Sequence, residues 1–434
     1  MLKRAILKRV CIYSIIGMCL LLLVTVEFGY KENVVEIDPI PVNLIQHSNS
    51  TSDDDVVIQN QMKTLILHAW NSYKLYAWGS DELKPITMKG SNWTSYSYMF
   101  TPVDSLDTLY IAGLMDEYQE AKSLVLNNMN FDIDPSSEEK NNHFEITIRV
   151  LGGLLSAYEL DPDFRYIDKA VDLANRLLKA FQSNGLPSMW FNLRTGQSTS
   201  SSGLLASIGT IQLEMQYLSD ITGNPVYQEK ALGVLDILKN MQTEIPGLYP
   251  SYINTFANKF TAPYRYSIGP DSDSFYEYLL KIWISTKEEK YRDMYDLSMN
   301  AIKDNLLVRD KHNAYISDGI GDGNKVFHHL SCFAGGMFSL GGITRMTNNW
   351  SEQLDIGRRI TDTCYKSYAS TKTGLGGEIM NVQSDGSITL IEDKVSLRPE
   401  VIESIFYQYR ITKDPKYREW GKKIIQSLID NAMG

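Results

Sequence analysis

Almost no stretch of this chain alternates apolar and polar residues over six positions, which excludes half-buried strands as its main building material. Strands are expected only as short hairpins in loops. Basic residues are also short in number. The 42 Lys and Arg stand against 52 Asp and Glu, for a net charge of −10. A polyanion needs a basic footprint, so nucleic acid is excluded as a partner and a neutral substrate fits better. Cysteine is scarcer still, with four in 434 residues. Cys11 and Cys19 fall inside a hydrophobic run, and no CxxC or neighbouring Cys/His cluster surrounds Cys332 and Cys364. A soft-metal centre is therefore disfavoured, and that pair, 32 residues apart, is expected to form one disulfide.

There is one long uncharged run. Residues 10–26 follow Lys3, Arg4, Lys8 and Arg9, and 17 residues is at the short end of what crosses a bilayer. The positive-inside rule makes residues 1–9 a cytoplasmic tail, 10–26 a signal anchor and everything after Glu27 lumenal, in a single-pass type II topology. A cleaved signal peptide is the rival, but Val24-Thr-Val-Glu-Phe28 offers no small-residue cleavage site. Residues 27–60, with Ser48-Asn-Ser-Thr-Ser-Asp-Asp-Asp55, read as a flexible stem. Residues 61–434 then form one domain of a size that 43% hydrophobic residues can fill. Sequons at Asn49, Asn92 and Asn349 become usable in a lumenal chain, less so where Trp93 and Trp350 occupy the middle position.

What is abundant is helical period, and it repeats. Gly185-Leu-Pro187, Gly247-Leu-Tyr-Pro250 and Gly374-Leu-Gly-Gly377 lie 62 and then 127 residues apart, one and two periods of a common unit. Within units, a polar turn separates an apolar helix from an aromatic that opens the next. Examples are Tyr158-Glu-Leu-Asp-Pro-Asp-Phe-Arg-Tyr166, Tyr217-Leu-Ser-Asp-Ile-Thr-Gly-Asn-Pro-Val-Tyr227 and Tyr409-Arg-Ile-Thr-Lys-Asp-Pro-Lys-Tyr417. Proline there stops one helix and occupies the first turn of the next, where its missing N–H costs nothing. The units are thus helix hairpins. Ala231, Val234, Leu235 and Leu238 show the core-facing stripe. One opening helix from His68, a pair over residues 106–129, and pairs beginning near Glu145, Ile208, Asp273, Ser331 and Glu400 give thirteen helices, an odd number for a closed ring of hairpins.

Three acids sit at comparable places in that repeat: Glu145 in His143-Phe-Glu-Ile-Thr-Ile-Arg149, Asp273 in Asp273-Ser-Phe-Tyr-Glu-Tyr278, and Glu400 in Ser396-Leu-Arg-Pro-Glu-Val-Ile-Glu403. Carboxylates converging on one centre suit glycoside hydrolysis, in which one carboxylic acid protonates the leaving oxygen and a carboxylate activates water on the opposite face. Glu400 follows Pro399 in a helix's first turn, where the macrodipole favours the ionised form that a base requires. Glu403 shares its helix face and could join a metal-bound water network. Glu145, between Phe144 and Ile146, is expected in an apolar setting that keeps an acid protonated. The bland alternatives are that each acid is a cap or a solvated group, that His329 packs on an aromatic and a disulfide, and that Asp107 and Asp116 are surface or turn residues. Tyr96-Ser-Tyr-Met-Phe100 and Ser188-Met-Trp-Phe191 could stack on sugars or serve as core and rim.

These residues, with six further runs, carry a resemblance. His68-Ala-Trp-Asn-Ser-Tyr-Lys-Leu-Tyr-Ala-Trp-Gly-Ser-Asp-Glu-Leu-Lys-Pro85 is similar to the opening signature of the class I α-1,2-mannosidases, glycoside hydrolase family 47. The likeness continues through Ser105-Leu-Asp-Thr-Leu109, the run from Phe144 to Tyr158, Ile211-Gln-Leu-Glu214, the run from Asp273 to Lys281, His329-Leu-Ser-Cys-Phe333 and Leu397-Arg-Pro-Glu400. It implies an all-α toroid of seven helix hairpins, acting as a monomer in the endoplasmic reticulum or Golgi. The implied activity trims α-1,2-linked mannose from high-mannose N-glycans on glycoproteins, with inversion and with bound calcium, an ion that takes six to eight oxygen ligands. It further implies Glu145 and Asp273 as acid candidates, Glu400 as base and Glu403 as a calcium ligand through water. Arg149, Glu214, His329 and Arg398 would bind sugar, and Cys332–Cys364 would be the family disulfide. The sequence departs from the family in having no Asn-Thr-Glu-Ala-His run, whose Thr binds calcium directly. The expectation is a C-terminally truncated domain, either a fragment or a chain without that ligand, with its seventh hairpin incomplete, its metal weakly held and its activity impaired. A mannose-binding factor in glycoprotein quality control is the alternative function, and another α/α-barrel glycosidase a weaker one.

Overall fold

The computed structural model describes residues 53–132, 140–198, 200–321, 325–344 and 349–433. Thirteen principal helices follow in order: α1 Asp53–Ala77, α2 Leu106–Ile111, α3 Met115–Asn128, α4 Gly152–Leu160, α5 Phe164–Leu177, α6 Gln212–Thr222, α7 Val226–Asn240, α8 Asp273–Thr286, α9 Glu289–Asn305, α10 Ala334–Ile343, α11 Trp350–Ala369, α12 Glu400–Thr412 and α13 Pro415–Ala432. After α1 they pair as six hairpins. The expected segments 1–9 and 10–26, and the stem up to residue 52, lie outside the described residues. Among the described residues, no helix is long and apolar enough to cross a membrane.

The first helices of the hairpins form an inner layer. Helix α2 packs on α4, α4 on α6, α6 on α8, α8 on α10 and α10 on α12, while each second helix covers its own partner from outside. Composition explains the layering. All of α10 from Ala334 to Gly342 is buried, because small residues let neighbouring helices come close. A Cβ added at Gly336 would stand 2.5 Å from the ring of Tyr407 on α12. Outer helices keep a single buried stripe, as in α7, where Tyr227, Ala231, Val234, Leu235 and Leu238 face inward. The aromatic near the start of α5, α7, α9 and α13 is a core anchor, and Tyr166, Tyr227, Tyr291 and Tyr417 are all buried. The turns before them are capped as their residues dictate. Asp163 accepts from the Arg165 amide at 3.1 Å, and Asp414, ahead of Pro415, accepts from the Lys416 amide at 2.9 Å. At the opposite end, Gly185, Gly247 and Gly374 all adopt a left-handed backbone in the turns that follow α5, α7 and α11.

The odd helix closes the ring. Helix α13 packs on α1, and Arg418 forms an ion pair with the buried Asp55. Residues 53–60, expected as stem, are therefore the start of α1. An acidic run that reads as solvated serves a helix N-terminus and, through Asp55, a tertiary contact.

Strands are confined to five small antiparallel sheets among the described residues. Three of them lead directly into the inner layer. Asn141–Asn142 pairs with Trp190–Phe191 just before Glu145, Ser202–Leu204 pairs with Tyr252–Asn254 before Leu205–Gly209, and Val326–His328 pairs with Ile379–Val382 before His329. These ladders fix where the inner helices begin.

Candidate active site

Because the first helices of successive hairpins run the same way, their N-terminal ends gather on one side of the toroid. Several of these ends bring an acid. Glu145 closes the turn His143–Glu145, Glu214 lies in the first turn of α6, Asp273 opens α8, and Glu400 and Glu403 occupy the first turn of α12. Anionic groups are favoured at such ends, and burial makes Glu214, Asp273 and Glu403 resist ionisation.

Asp273 is held by Ser274, whose amide and hydroxyl donate to Oδ1 at 2.8 and 3.3 Å, while Thr210 Oγ1 and Ser274 Oγ lie 2.9 Å apart. Burial pushes its carboxyl up to about 7. The Ser274 amide opposes the shift, and the negative fields of Glu400 and Glu277 add to it. Glu214 accepts from the Tyr278 hydroxyl at 2.7 Å through Oε1, and its buried Oε2 has no hydrogen-bond partner. Burial pushes it to about 7. Glu403 rises to about 8, first from burial and then from Glu277, with Lys281 opposing. The counter-charge is internal: Lys281 Nζ donates to Glu277 Oε1 at 2.5 Å, and both side chains are buried. Burial alone would lower the lysine, but Glu277, Tyr407 and Glu403 drive it well above its ordinary value. Asp273, Glu400, Glu403, Glu214 and the Glu277–Lys281 pair thus share one electrostatic neighbourhood.

Glu400 is buried, and its Oε2 stands 3.3 Å from Nδ1 of His329. The other ring nitrogen, Nε2, is 2.7 Å from the Tyr368 hydroxyl, and the two rings lie 5.8 Å apart. Cys332 and Cys364 form the disulfide beside them. Arg398 stands nearer the surface, where its Nε donates to Glu378 at 2.6 Å. Burial would raise Glu378, but the Ser396 hydroxyl and Arg398 hold it below its ordinary value.

Glu145 departs from its expected apolar setting. Its Oε2 accepts from Nε of Arg149 at 2.8 Å, and Arg149 also donates to Asp104 at 3.2 Å beneath the Trp93 ring. Phe144 and Ile146 point elsewhere because neighbours in a helix diverge, and the residue four ahead decides the environment. The run 146–151 winds as a π-helix, so the Glu145–Arg149 contact spans a widened turn of the kind found at functional sites. Burial pushes Asp104 up to about 7 despite Arg149. This cluster has no hydrogen bond or ion pair to Asp273 or Glu400 among the described residues. Asp107 is likewise no surface residue, being 1% exposed. Of the aromatic runs, Tyr98, Phe100 and Phe191 are core, while Trp190 remains partly exposed.

Sequence reasoning passed over Asp104, Glu277, Lys281, Tyr368 and Glu378. A Glu and Lys four apart in the otherwise apolar α8 was the available signal for two of them. The donor chemistry suits a hard cation. Five carboxyl groups, of which Glu277, Glu400 and Glu403 are buried, face a single lysine, and Oε2 of Glu214 lacks a hydrogen-bond partner. Among the described residues no three His, Cys, Asp or Glu groups come together as a direct cage.

Comparison with known proteins gives a consistent picture. The sequence profile of Glycosyl hydrolase family 47 matches residues 65–433. The mannosyl-oligosaccharide alpha-1,2-mannosidase IA of Drosophila melanogaster is 37% identical over 389 residues, covering 85% of this chain and 57% of that protein. The endoplasmic reticulum mannosyl-oligosaccharide 1,2-alpha-mannosidase of Rattus norvegicus is 37% identical over 382 residues, covering 83% and 56%. The chain therefore spans a little over half the length of these relatives. Among solved structures, the alpha-1,2-mannosidase from Trichoderma reesei superposes with a TM-score of 0.79 at 26% identity, covering 86% of this chain and 85% of that one.

Proposed function

Because this chain belongs to glycosyl hydrolase family 47, we propose that it hydrolyses terminal α-1,2-linked mannose from high-mannose N-glycans with inversion. The observation that carries the reading is the pairing of opposite demands at one site: Asp273 is held up at about 7 by burial and by the field of Glu400. An acid near 7 donates a proton at physiological pH, and a neighbouring carboxylate can take one. In this reading Asp273 gives its proton to the glycosidic oxygen as the C1–O bond breaks. Glu400 takes a proton from the water that attacks C1 from the opposite face.

Glu145, the second acid candidate, is committed to Arg149, and the pair is suited to orienting the sugar. Glu214, His329 and Arg398 complete the sugar-binding set. Calcium, held through waters by Glu403 and the unpartnered Oε2 of Glu214, would bind sugar hydroxyls and offset the acidic excess. The rat relative's name supports action in the endoplasmic reticulum, the Golgi is the other compartment we consider, and a monomer anchored through residues 10–26 with residues 61–434 lumenal is the arrangement we favour.

The test is mannose release from a high-mannose glycan by the full chain, with and without a chelator. Release of β-mannose that stops on chelation is expected. Glu400→Gln should lower turnover by roughly 10²–10⁴-fold with binding largely spared. Asp273→Asn should regain activity on an aryl mannoside whose leaving group needs no proton. An unchanged rate in Glu400→Gln removes it as base, and tight binding without release at any calcium level assigns the chain to mannose recognition instead.

A further inference from the structure

We infer that Tyr368 is a positioning residue that fixes the protonation of His329 and thereby the aim of Glu400. The inference rests on the reading of Glu400 as base. Nδ1 of His329 and Oε2 of Glu400 are both buried, both lack any other hydrogen-bond partner, and face each other at 3.3 Å. A carboxylate oxygen only accepts, so a bare ring nitrogen opposite it would set lone pair against lone pair between two buried atoms. The neutral imidazole escapes this only by carrying its proton on Nδ1. That tautomer leaves Nε2 an acceptor, and the group 2.7 Å away is the Tyr368 hydroxyl. Tyr368 donates to Nε2, Nδ1–H points at Oε2, and the other carboxylate oxygen is left to the water.

The surrounding fold holds this chain of contacts from three sides. Cys332 lies three residues after His329 and Cys364 four before Tyr368, so the disulfide ties together the two elements that carry the ring and the hydroxyl. The amide of His329 donates to Glu378 O at 2.9 Å. On its far side the Tyr368 ring is backed by Gly376, where a Cβ would stand 2.5 Å from Cε2. Displacement of Tyr368 is therefore resisted by a covalent bond, a ladder contact and packing.

The experiment has two independent arms. In the first, the chain is labelled with ¹⁵N-histidine, His329 is assigned through His329→Gln, and its ring shifts report which nitrogen holds the proton. The neutral Nδ1–H form is expected. A proton on Nε2, whether as the other tautomer or as imidazolium, overturns the proposal without any variant of Tyr368. In the second, Tyr368→Phe is assayed on an α-1,2-mannobiose probe. The expected result is kcat lower by roughly ten- to a hundred-fold with KM changed by less than about threefold, since misdirecting a reacting group costs rate more than binding, together with loss of the Nδ1–H preference. An unchanged kcat, or a retained tautomer, overturns it. Absence of turnover in the unaltered chain with calcium would instead defeat the assignment of Glu400, and the ring shifts would still decide what Tyr368 does.

Discussion

A methyl group added at Gly153 tests whether the inner layer's close packing reaches the chemistry. Gly153 lies near the start of α4, one turn beyond Arg149, against the short helix Phe100–Asp104. A Cβ there would fall 2.6 Å from the carbonyl oxygen of Val103 and 3.1 Å from its carbonyl carbon and Cγ2. Ordinary contact starts near 3.4 Å, so the two backbones must part by ~0.8 Å, enough to cost a well-aligned site one to two orders of magnitude in rate. Overpacking of this kind costs about 1–3 kcal/mol, of which the helix gains back about 0.5–1 on losing a glycine. A net loss of up to about 2.5 kcal/mol lowers Tm by up to about 3 °C in a protein of this size. The residue after Val103 is Asp104, which holds Arg149 at 3.2 Å, and Arg149 holds Glu145 at 2.8 Å. Gly153→Ala should therefore lose kcat by more than about tenfold as well. Gly233→Ala is the control, since a Cβ at that position in α7 meets nothing within 4 Å, and it should gain about 0.5–1 kcal/mol and leave kcat alone. Thermal unfolding and mannose release are measured on both. If Gly153→Ala matches Gly233→Ala in either quantity, the claimed close approach of the two segments is wrong.

Two further outcomes follow from the buried charges. Asp104, Glu214 and Asp273 titrate near 7 and Glu403 near 8 in the folded chain, so the native state keeps protons that the unfolded chain has already lost. Stability must fall as pH rises through that range. His143, lowered to about 4 by burial, acts only below about 6.5, so urea midpoints in chelator at pH 6.5 and 8.5 isolate the acids; a midpoint that rises with pH contradicts their burial. Arg418→Met strips the guanidinium from buried Asp55 and should destabilise by about 3 kcal/mol, with partial recovery in the Asp55→Asn double variant. A loss under about 1 kcal/mol in denaturant titration would remove that pair as the clasp of the ring.

The repeat was the most legible part of the fold, because the Gly-Leu turns and the Asn-Pro or Asp-Pro turns act locally. Left-handed glycine and proline at the first helical turn mean the same thing wherever they occur. The helix count survives for that reason. The site was legible to the extent that acids recur at helix starts: Asp273, Glu400, Glu403 and Glu214 do share one field. Glu145 shows where such reading fails, since its flanking Phe144 and Ile146 say nothing about a group whose environment is set by Arg149 and Asp104. The β-branched run Ile146-Thr-Ile148 gives no hint of a widened turn. Asp55 shows the same limit from the other side, because a run of three aspartates reads as solvated until a partner from α13 arrives. Partners far apart in sequence leave no periodic trace.

That last contact carries a consequence for biogenesis. Asp55 and Arg418 are separated by roughly 360 residues, and a ribosome adding about 5–20 residues per second needs roughly 20–70 s between them. Through that interval α1 keeps its neighbours Glu82–Lys84 and Lys89–Ser91 but lacks α13, and the last hairpin made presents an open edge. The nascent chain is thus a crescent with two open ends until α13 emerges and meets α1.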